Sequence, residues 1–214
     1  MKQTLVVWLV LAVIYGVFFG WYTSFGGPLT EEEITKYLEQ LEQNETPPEG
    51  LELMRRFMEE DTGGDFAMLN IIHYYDTPLQ IGGVEPGETS RQVMNKYMQY
   101  MTPALFARAC HPVFLGTAAA PAADIMNAEG MEIWSSGALM RYRSRRDLLN
   151  ITTNPEFFGS HEFKVAAMQK TIAFPVDPWF HFGDPRLLLA FVLTIVGTLL
   201  SWALAHRSTR SQSR

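Results

Sequence analysis

The chain of 214 residues is strongly apolar at both ends and polar in between. Residues 5–21 (LVVWLVLAVIYGVFFGW) and residues 187–205 (LLLAFVLTIVGTLLSWALA) contain no charged side chain. An α-helix rises about 1.5 Å per residue, so either run is long enough to cross about 30 Å of hydrocarbon. We therefore expect a transmembrane helix within residues 1–29, spanning about 4–22, and a second one over residues 185–206.

The first apolar run has a second interpretation, a cleaved signal peptide, because Lys2 followed by apolar residues also fits that description. The run is longer than the apolar core of a usual signal peptide, and no Ala-x-Ala cleavage site follows it. We expect a retained span, and the sequence leaves cleavage open.

Basic residues near the two predicted spans indicate their orientation. Lys2, Arg207, Arg210 and Arg214 lie on the outer flanks, whereas only Lys36 and Arg186 lie on the flanks that face the middle of the chain. By the positive-inside rule, both termini, including the basic tail 207–214, are predicted to be cytoplasmic. The protein would then be a two-pass inner-membrane protein with a periplasmic or extracytoplasmic domain.

The middle of the chain is acidic. Residues 31–184 hold all 23 acidic residues but only 12 of the 17 basic ones. Such a surface argues against nucleic acid as a partner. The chain has one cysteine, Cys110, so no intrachain disulfide can form and a hydrophobic core must hold the fold.

Residues 30–62 predict an acidic helical stalk. The segment Thr30-Glu31-Glu32-Glu33 is a capping box, in which the Thr30 oxygen and the Glu33 carboxylate satisfy backbone N–H groups at a helix start. A helix over 31–44 should follow, and a break at 46–50 should precede a second helix over 51–60. We interpret the acidic faces of both helices as solvated surface.

Short apolar runs alternate with amphipathic segments over residues 63–178, which predict one α+β domain. The predicted elements are a strand at 66–75, a helix at 90–109, strands at 113–120 and 132–142, helices starting after Ser144 and at Pro155, and a strand at 171–176. The order β-α-β-β-α-β is that of the ferredoxin-like fold, a four-stranded antiparallel sheet with helices on one face. The other face of the sheet needs covering, and dimerisation is the usual solution.

Several motifs resemble the dimeric α/β-barrel superfamily, in particular an uncharacterised branch of it. They are the strand segment 68–72 (MLNII), Tyr97 on the helix that leads to Pro103-Ala104-Leu105, the stretch 134–145 (WSSGALMRYRSR), and Asn154-Pro155-Glu156-Phe157 followed by His161. The resemblance covers about residues 65–176 and implies a ferredoxin-like βαββαβ barrel, here flanked by two transmembrane helices. One segment departs from the pattern, because Cys110-His111-Pro112 stands where relatives carry a Gly pair.

His161 and Asn70 are the candidate catalytic residues. His161 shares a predicted helix face with Phe157, Val165 and Met168, which directs it toward the sheet, and the resembling family has a histidine at the matching place. A core histidine bonded to a carbonyl explains the same pattern. Asn70 interrupts an apolar strand, so its amide must find a partner. That partner is either a ligand or a neighbouring strand or helix.

A ligand pocket is predicted around these two residues. Its candidate wall residues are Tyr97, Trp134, Arg141, Tyr142 and His73. Aromatic residues at such spacing are also ordinary core residues. The Arg cluster, which we define as Arg141, Arg143, Arg145 and Arg146, could meet an anion, be solvated, balance the acidic stalk, or contact a second copy of the chain.

The sequence predicts neither a metal site nor a bound cofactor. His73, His111 and His161 match no metal-binding spacing, and the chain has no nucleotide fingerprint, nucleophile elbow or CxxC motif. The superfamily includes cofactor-independent monooxygenases, haem enzymes, isomerases and stress proteins, so the resemblance implies no single activity.

Two functions follow as hypotheses. The first is a membrane-tethered accessory, assembly or ligand-binding protein, with the lipid bilayer, a homodimer mate or a membrane protein, and a small lipophilic molecule as its partners. The second is a cofactor-independent monooxygenase or isomerase-type enzyme that acts on a lipophilic aromatic substrate. Tethering at both ends and the absence of a strong catalytic motif favour the first hypothesis.

Overall fold

The computed structural model describes residues 2–179 and 181–212, which divide into two compact units. One unit comprises the terminal segments Met1–Thr23 and Trp179–Arg214, and the other is the domain Ser24–Pro178. The elements in chain order are α1 (Lys2–Tyr22), α2 (Glu31–Gln43), α3 (Pro48–Glu59), β1 (Phe66–Tyr74), α4 (Ser90–Phe106), β2 (His111–Thr117), β3 (Ser136–Tyr142), α5 (Arg145–Thr152), α6 (Pro155–Ala167), β4 (Met168–Val176) and α7 (Pro185–Gln212).

In the terminal unit, α1 and α7 pack against each other. A Cβ on Gly197 would lie 2.7 Å from the Trp8 ring, so only a glycine allows this close approach. Two helical stretches are long and apolar enough to cross a membrane, Lys2–Tyr22 with a mean hydropathy of 2.2 and Pro185–Arg207 with 2.4. Arg214 and the side chain of Arg210, which contribute to the predicted orientation, lie outside the described residues.

Most of the apolar surface of these two helices is exposed. Val17 is 69% exposed and Trp202 is 63% exposed, and the pattern repeats along both helices. The core helix of a soluble protein buries its apolar stripe instead. The terminal helices therefore coincide with the predicted spans and carry an apolar surface that neither helix buries against the other.

The domain contains the predicted four-stranded antiparallel sheet, in the strand order β2-β3-β1-β4. This is the ferredoxin-like arrangement, so the predicted order of elements is confirmed. Helices α4, α5 and α6 begin at side-chain caps from Thr89, Ser144 and Asn154. Such caps satisfy backbone N–H groups that have no partner within the helix.

One face of the sheet packs against α4 and α6 and forms the main core. Residues directly opposite each other in an antiparallel sheet share a face, so the pairs Phe66–Tyr142, Met68–Met140 and Tyr74–Met168 identify this side. All six residues belong to or pack against the main hydrophobic cluster, together with Val93, Tyr97, Met101 and Leu105 from α4. These four residues form the buried stripe of α4.

The other side of the sheet, which we call the open face, is defined by Leu69, Ile71, Phe114, Leu139, Ile172 and Phe174. These residues belong to neither hydrophobic cluster of the domain, and Phe114 and Phe174 are 59% and 42% exposed. Six adjacent large apolar side chains form a patch that a monomeric soluble domain rarely exposes.

The predicted stalk helices α2 and α3 pack directly against the domain. Their apolar residues Ile34, Tyr37 and Met58 form a second hydrophobic cluster with Leu149 of α5. Tyr37 also donates a hydrogen bond to Asn150 over 2.9 Å. The acidic faces point outward as expected, but the apolar faces are buried, so residues 30–62 belong to the same compact unit as the barrel.

Asp61, just after α3, joins the stalk helices to the domain. One carboxylate oxygen accepts a hydrogen bond from the Leu29 N–H at 2.9 Å, and the other accepts one from the Gly63 N–H at 3.0 Å. Arg145 at the start of α5 lies 3.6 Å from the same carboxylate, and both side chains are almost fully buried. Gly63 has φ of +79°, and a Cβ there would lie 2.4 Å from the Gly27 carbonyl carbon.

Cys110 lies at the turn that enters β2, where this chain departs from the Gly pair of the resembling family. The preceding residue, Ala109, takes the left-handed conformation that a glycine would otherwise supply, with φ of 55°. The thiol is fully buried and accepts a hydrogen bond from the Arg143 N–H. Burial raises the pKa of the Cys110 thiol to about 11.

Candidate functional site

The strongest candidate site lies between α4, α6 and the helix-facing side of the sheet. We call it the interior site and define it by Tyr97, Tyr142, His161 and Lys164. Tyr97 belongs to α4, Tyr142 to β3, and the other two residues to α6. The candidate catalytic residue His161 thus lies beside the candidate pocket residue Tyr97, and Tyr97 lies close enough to Tyr142 to affect its ionisation.

His161 is half-buried among aromatic rings. Its ring centroid lies 5.1 Å from that of Phe157 and 6.3 Å from that of Tyr97. Burial lowers the pKa of His161 from 6.5 to about 4, and the positive charge of Lys164 lowers it further. The imidazole is therefore neutral at physiological pH and makes no hydrogen bond to another described residue.

Lys164, one helical turn after His161, is a site residue that the sequence pattern did not reveal. The predicted inner face of α6 ran through Val165, but Val165 is 53% exposed and Lys164 faces inward instead. Its Nζ lies 5.8 Å from the centroid of the Tyr97 ring. Burial lowers the pKa of Lys164, and its ammonium group forms no hydrogen bond or salt bridge with the described residues.

Two phenols complete the interior site. Tyr142 is buried and stacks on Phe66 with centroids 5.3 Å apart, and Tyr97 is buried on the inner stripe of α4. Burial raises the pKa of both phenols, and a neighbouring tyrosine raises each pKa further, Tyr100 for Tyr97 and Tyr97 for Tyr142. Both therefore remain protonated donors, and neither hydroxyl donates to a described residue.

Asn70 faces the same side of the sheet as the interior site. Its cross-strand partners, Ala138 and Ala173, are small, so little side-chain volume covers this row. The Asn70 Nδ2 donates a hydrogen bond to the Met68 carbonyl oxygen at 2.9 Å. The amide thus finds its partner within its own strand rather than on a neighbouring strand or helix, and its role toward a ligand stays a prediction.

His73, Trp134 and Arg141 lie away from the interior site. His73 is on the open-face side of β1, where Nδ1 lies 3.1 Å from the Ser135 hydroxyl. Trp134 precedes β3 and packs on the cross-strand neighbour of His73, Lys170, whose Nζ lies 4.6 Å from its ring centroid. The alternation of side chains along a strand separates these residues from His161.

The Arg cluster forms ion pairs within the domain. The pairs are Arg141–Asp65 at 3.0 Å, Arg143–Asp147 at 2.8 Å, Arg145–Asp61 at 3.6 Å and Arg146–Glu33 at 2.6 Å. The hydrogen bonds from Arg146 lower the pKa of Glu33 to about 2. Of the alternatives open in the sequence, the cluster thus balances acidic groups, including those of the stalk.

Within residues 2–179 and 181–212, no three His, Cys, Asp or Glu side chains gather closely enough to hold a metal ion. The polar groups of the interior site are a neutral imidazole, an amine and two phenols. Such a set can donate hydrogen bonds to a carbonyl or anionic oxygen and can accept a proton. It suits an organic ligand with an apolar body and one oxygen-bearing group.

No protein-family model and no curated protein matches the sequence of this chain. The chain is similar in structure to the RPA0582 protein of unknown function from Rhodopseudomonas palustris, at 17% identity and a TM-score of 0.50, over 64% of this chain and 97% of that one. The methylated form of that protein matches at 17% identity and a TM-score of 0.52, over 65% and 96% of the two chains.

A hydroxynitrile lyase from Passiflora edulis also matches, at 15% identity and a TM-score of 0.37, over 55% of this chain and 98% of that one. The similarity to the RPA0582 structure and the sheet topology of the domain agree on the fold. The chain therefore has the predicted ferredoxin-like fold. Structural similarity at identities this low establishes a shared fold, but it does not transfer an activity from one protein to the other.

Proposed function

We propose that this ferredoxin-like protein is a membrane-anchored homodimer whose extracytoplasmic domain binds a small lipophilic ligand in the interior site. The observation that carries the ligand proposal is the set of four polar side chains, in an otherwise apolar interior, whose polar atoms bond to no described residue. Polar groups in apolar surroundings cost free energy unless water or a ligand satisfies them. A ligand oxygen would supply that partner.

Duroquinone tests the binding site, because its ring is fully substituted and cannot add to an amine. We expect saturable binding by isothermal titration to the intact protein in detergent. Tyr97→Phe removes one hydrogen-bond donor and should weaken binding by about tenfold. Tyr100→Phe, the same change on the same helix away from His161, is the matched control. Equal affinities for the two variants would contradict the proposed site.

The membrane anchor is supported by the two exposed apolar helices and by the basic residues on their outer flanks. Alkaline phosphatase fused after Pro47 should be active, and the same reporter fused after Arg210 should be silent, because the enzyme folds only outside the cytoplasm. A fluorescent reporter that matures in the cytoplasm should give the opposite pattern. Activity of the phosphatase fused after Arg210 would reverse the proposed orientation.

The open face supports the homodimer, because its apolar side chains need a cover and an identical face supplies one. Leu69→Asp would place a charge in that interface, so we expect a monomer by light scattering. Leu53→Asp introduces the same charge on α3, where the leucine is 66% exposed and off the open face, and should leave the dimer intact. A dimeric Leu69→Asp protein would exclude this face as the interface.

A second candidate function is a cofactor-independent monooxygenase or isomerase-type reaction on a lipophilic aromatic substrate. The neutral imidazole of His161 favours it, because an uncharged histidine beside a bound ligand can remove a proton. Anthrone is a suitable probe, since a base can enolise it. In an enzyme, His161→Gln should slow its oxidation by about 100-fold or more while leaving unfolding nearly unchanged. A binding protein would leave anthrone unconverted in the wild type.

A further inference from the structure

Lys164 differs from the other lysines of the folded domain in its surroundings. Lys96 forms a salt bridge with Glu88 at 2.6 Å, and Lys170 donates a hydrogen bond to the Gly130 carbonyl oxygen. Lys36 is exposed on α2. Among the described residues, Lys164 alone of these four lysines is neither exposed nor paired with an acidic or carbonyl group, and its half-buried side chain lies toward the Tyr97 ring.

The surroundings of Lys164 are apolar and aromatic. Its Nζ lies 5.8 Å from the centroid of the Tyr97 ring, and Phe157 on the same helix belongs to the main hydrophobic cluster. A half-buried ammonium without a counter-ion is disfavoured relative to the uncharged amine, whose lone pair can attack an electrophile. The lowered pKa of Lys164 agrees with this geometry.

His161 provides a proton acceptor next to this amine. The two residues are three positions apart on α6, so they occupy adjacent places on one helix face. Because His161 is held neutral, it can take a proton from an attacking amine and return it to a leaving hydroxyl. An amine, a neutral imidazole and an apolar lining are the groups that imine chemistry requires.

We propose that Lys164 is a nucleophile that forms an imine with a lipophilic aldehyde or ketone in the interior site. The Lys164 nitrogen bonds to the carbonyl carbon, and His161 carries the two amine protons in turn to the former carbonyl oxygen. That oxygen then leaves as water while the nitrogen–carbon double bond forms. One amine and one carbonyl compound give one imine and one water, so no oxidant or reductant is needed. This inference rests on the proposed ligand-binding function and names its ligand class.

Reductive trapping of the intact protein in detergent tests the proposal. Cuminaldehyde, an aromatic aldehyde without a second reactive group, is added with sodium cyanoborohydride at neutral pH, and modified lysines are identified by peptide mass spectrometry. Lys164 should be modified severalfold faster than Lys96 or Lys170 in the same molecule, because its lowered pKa leaves a larger fraction of the amine unprotonated. Cumin alcohol, which binds without reacting, should protect Lys164 in a saturable manner.

Two variants separate the site from general amine reactivity. Lys164→Arg should abolish the rapid phase of modification, and Lys96→Arg should leave it unchanged. Equal modification of Lys164, Lys96 and Lys170 would overturn the proposal. If Lys164→Arg fails to fold, the comparison of lysines within the wild-type chain still decides the matter.

The binding and the covalent step can fail separately. Saturable binding of cumin alcohol, measured by titration, without modification of Lys164 would overturn the imine and leave the proposed ligand-binding function standing. Absence of binding by both cuminaldehyde and cumin alcohol, together with absence of trapping, would overturn the imine. Absence of duroquinone binding as well would overturn the interior site as a ligand site.

Discussion

The buried ion pair between Asp61 and Arg145 offers the sharpest test of how the domain is held together. The side chains of Asp61 and Arg145 are 2% and 8% exposed. Asp61 also accepts the N–H groups of Leu29 and Gly63. Asp61→Asn keeps the shape of the side chain but removes its charge, so Arg145 would be left buried without a carboxylate.

Breaking a buried ion pair by removing one partner costs about 3–5 kcal/mol. The Asn amide can still accept one of the two backbone hydrogen bonds, so further loss from that source should be small. We expect the free energy of unfolding to fall by about 3–5 kcal/mol. A typical domain has a free energy of unfolding of about 5–15 kcal/mol, so this loss would be a large part of it.

Urea unfolding of the intact protein in detergent, followed by circular dichroism, measures this change. Glu59→Gln is the matched control, because Glu59 is an exposed acid in the last turn of α3 and its replacement should cost less than about 0.5 kcal/mol. Adding Arg145→Met to Asp61→Asn should recover part of the loss, since the uncompensated charge is removed. A loss below about 1 kcal/mol for Asp61→Asn would refute the reasoning.

Three further predictions concern stability in the same assay. Lys164→Met should raise the free energy of unfolding by about 1 kcal/mol, because it removes a half-buried amine without a partner, whereas Lys96→Met should not. The pKa of His161 is about 4 in the folded state and 6.5 in the unfolded state. The free energy of unfolding should therefore be highest above pH 6.5 and should fall by about 1–3 kcal/mol as the pH is lowered to 4. His161→Gln should flatten that decline. Gly63→Ala should cost more than about 2 kcal/mol because its Cβ meets backbone atoms, and Gly64→Ala, where a Cβ has room, should cost less than about 1 kcal/mol.

The order of elements could be predicted because each element carries its own local signal. The capping box predicted at Thr30 is present at the start of α2, and the structure shows a second capping box at Thr89 before α4. The predicted bounds of β2 and β3 were less accurate. The sequence predicted strands at 113–120 and 132–142, and the structure has them at His111–Thr117 and Ser136–Tyr142. The loop between the two strands has an apolar sequence like that of a strand. Backbone hydrogen bonds such as the one from the Ala118 N–H to the Ser135 carbonyl oxygen continue the pairing irregularly beyond the strand ends.

The interior site was only partly predictable, because helical periodicity leaves a choice between positions three and four residues apart. From His161 the inner face could continue through Lys164 or Val165, and hydrophobicity favoured Val165. The structure exposes Val165 and turns Lys164 inward. A lysine that faces a core contradicts the usual preference of its residue type, so no pattern of hydrophobicity could have identified it.

The Arg cluster illustrates a different limit. Arg146 and Glu33 are 113 residues apart, and Arg145 meets Asp61 only after α3 has packed against α5. The sequence showed that the acidic stalk could be balanced by these arginines, but several other partners fitted equally well. Only the tertiary fold selects among them, because ion pairing depends on distances that sequence spacing does not encode.

The burial of Cys110 makes the native chain unreactive toward thiol reagents. Its thiol is the only one in the sequence, is fully buried, and ionises only near pH 11, so maleimides should not modify it at neutral pH. Any cysteine introduced by mutation would then be the single reactive thiol of the molecule. Membrane-impermeant labelling along the ends of α1 and α7, or spontaneous cross-linking between copies at Leu69, can therefore be read without first removing a native cysteine.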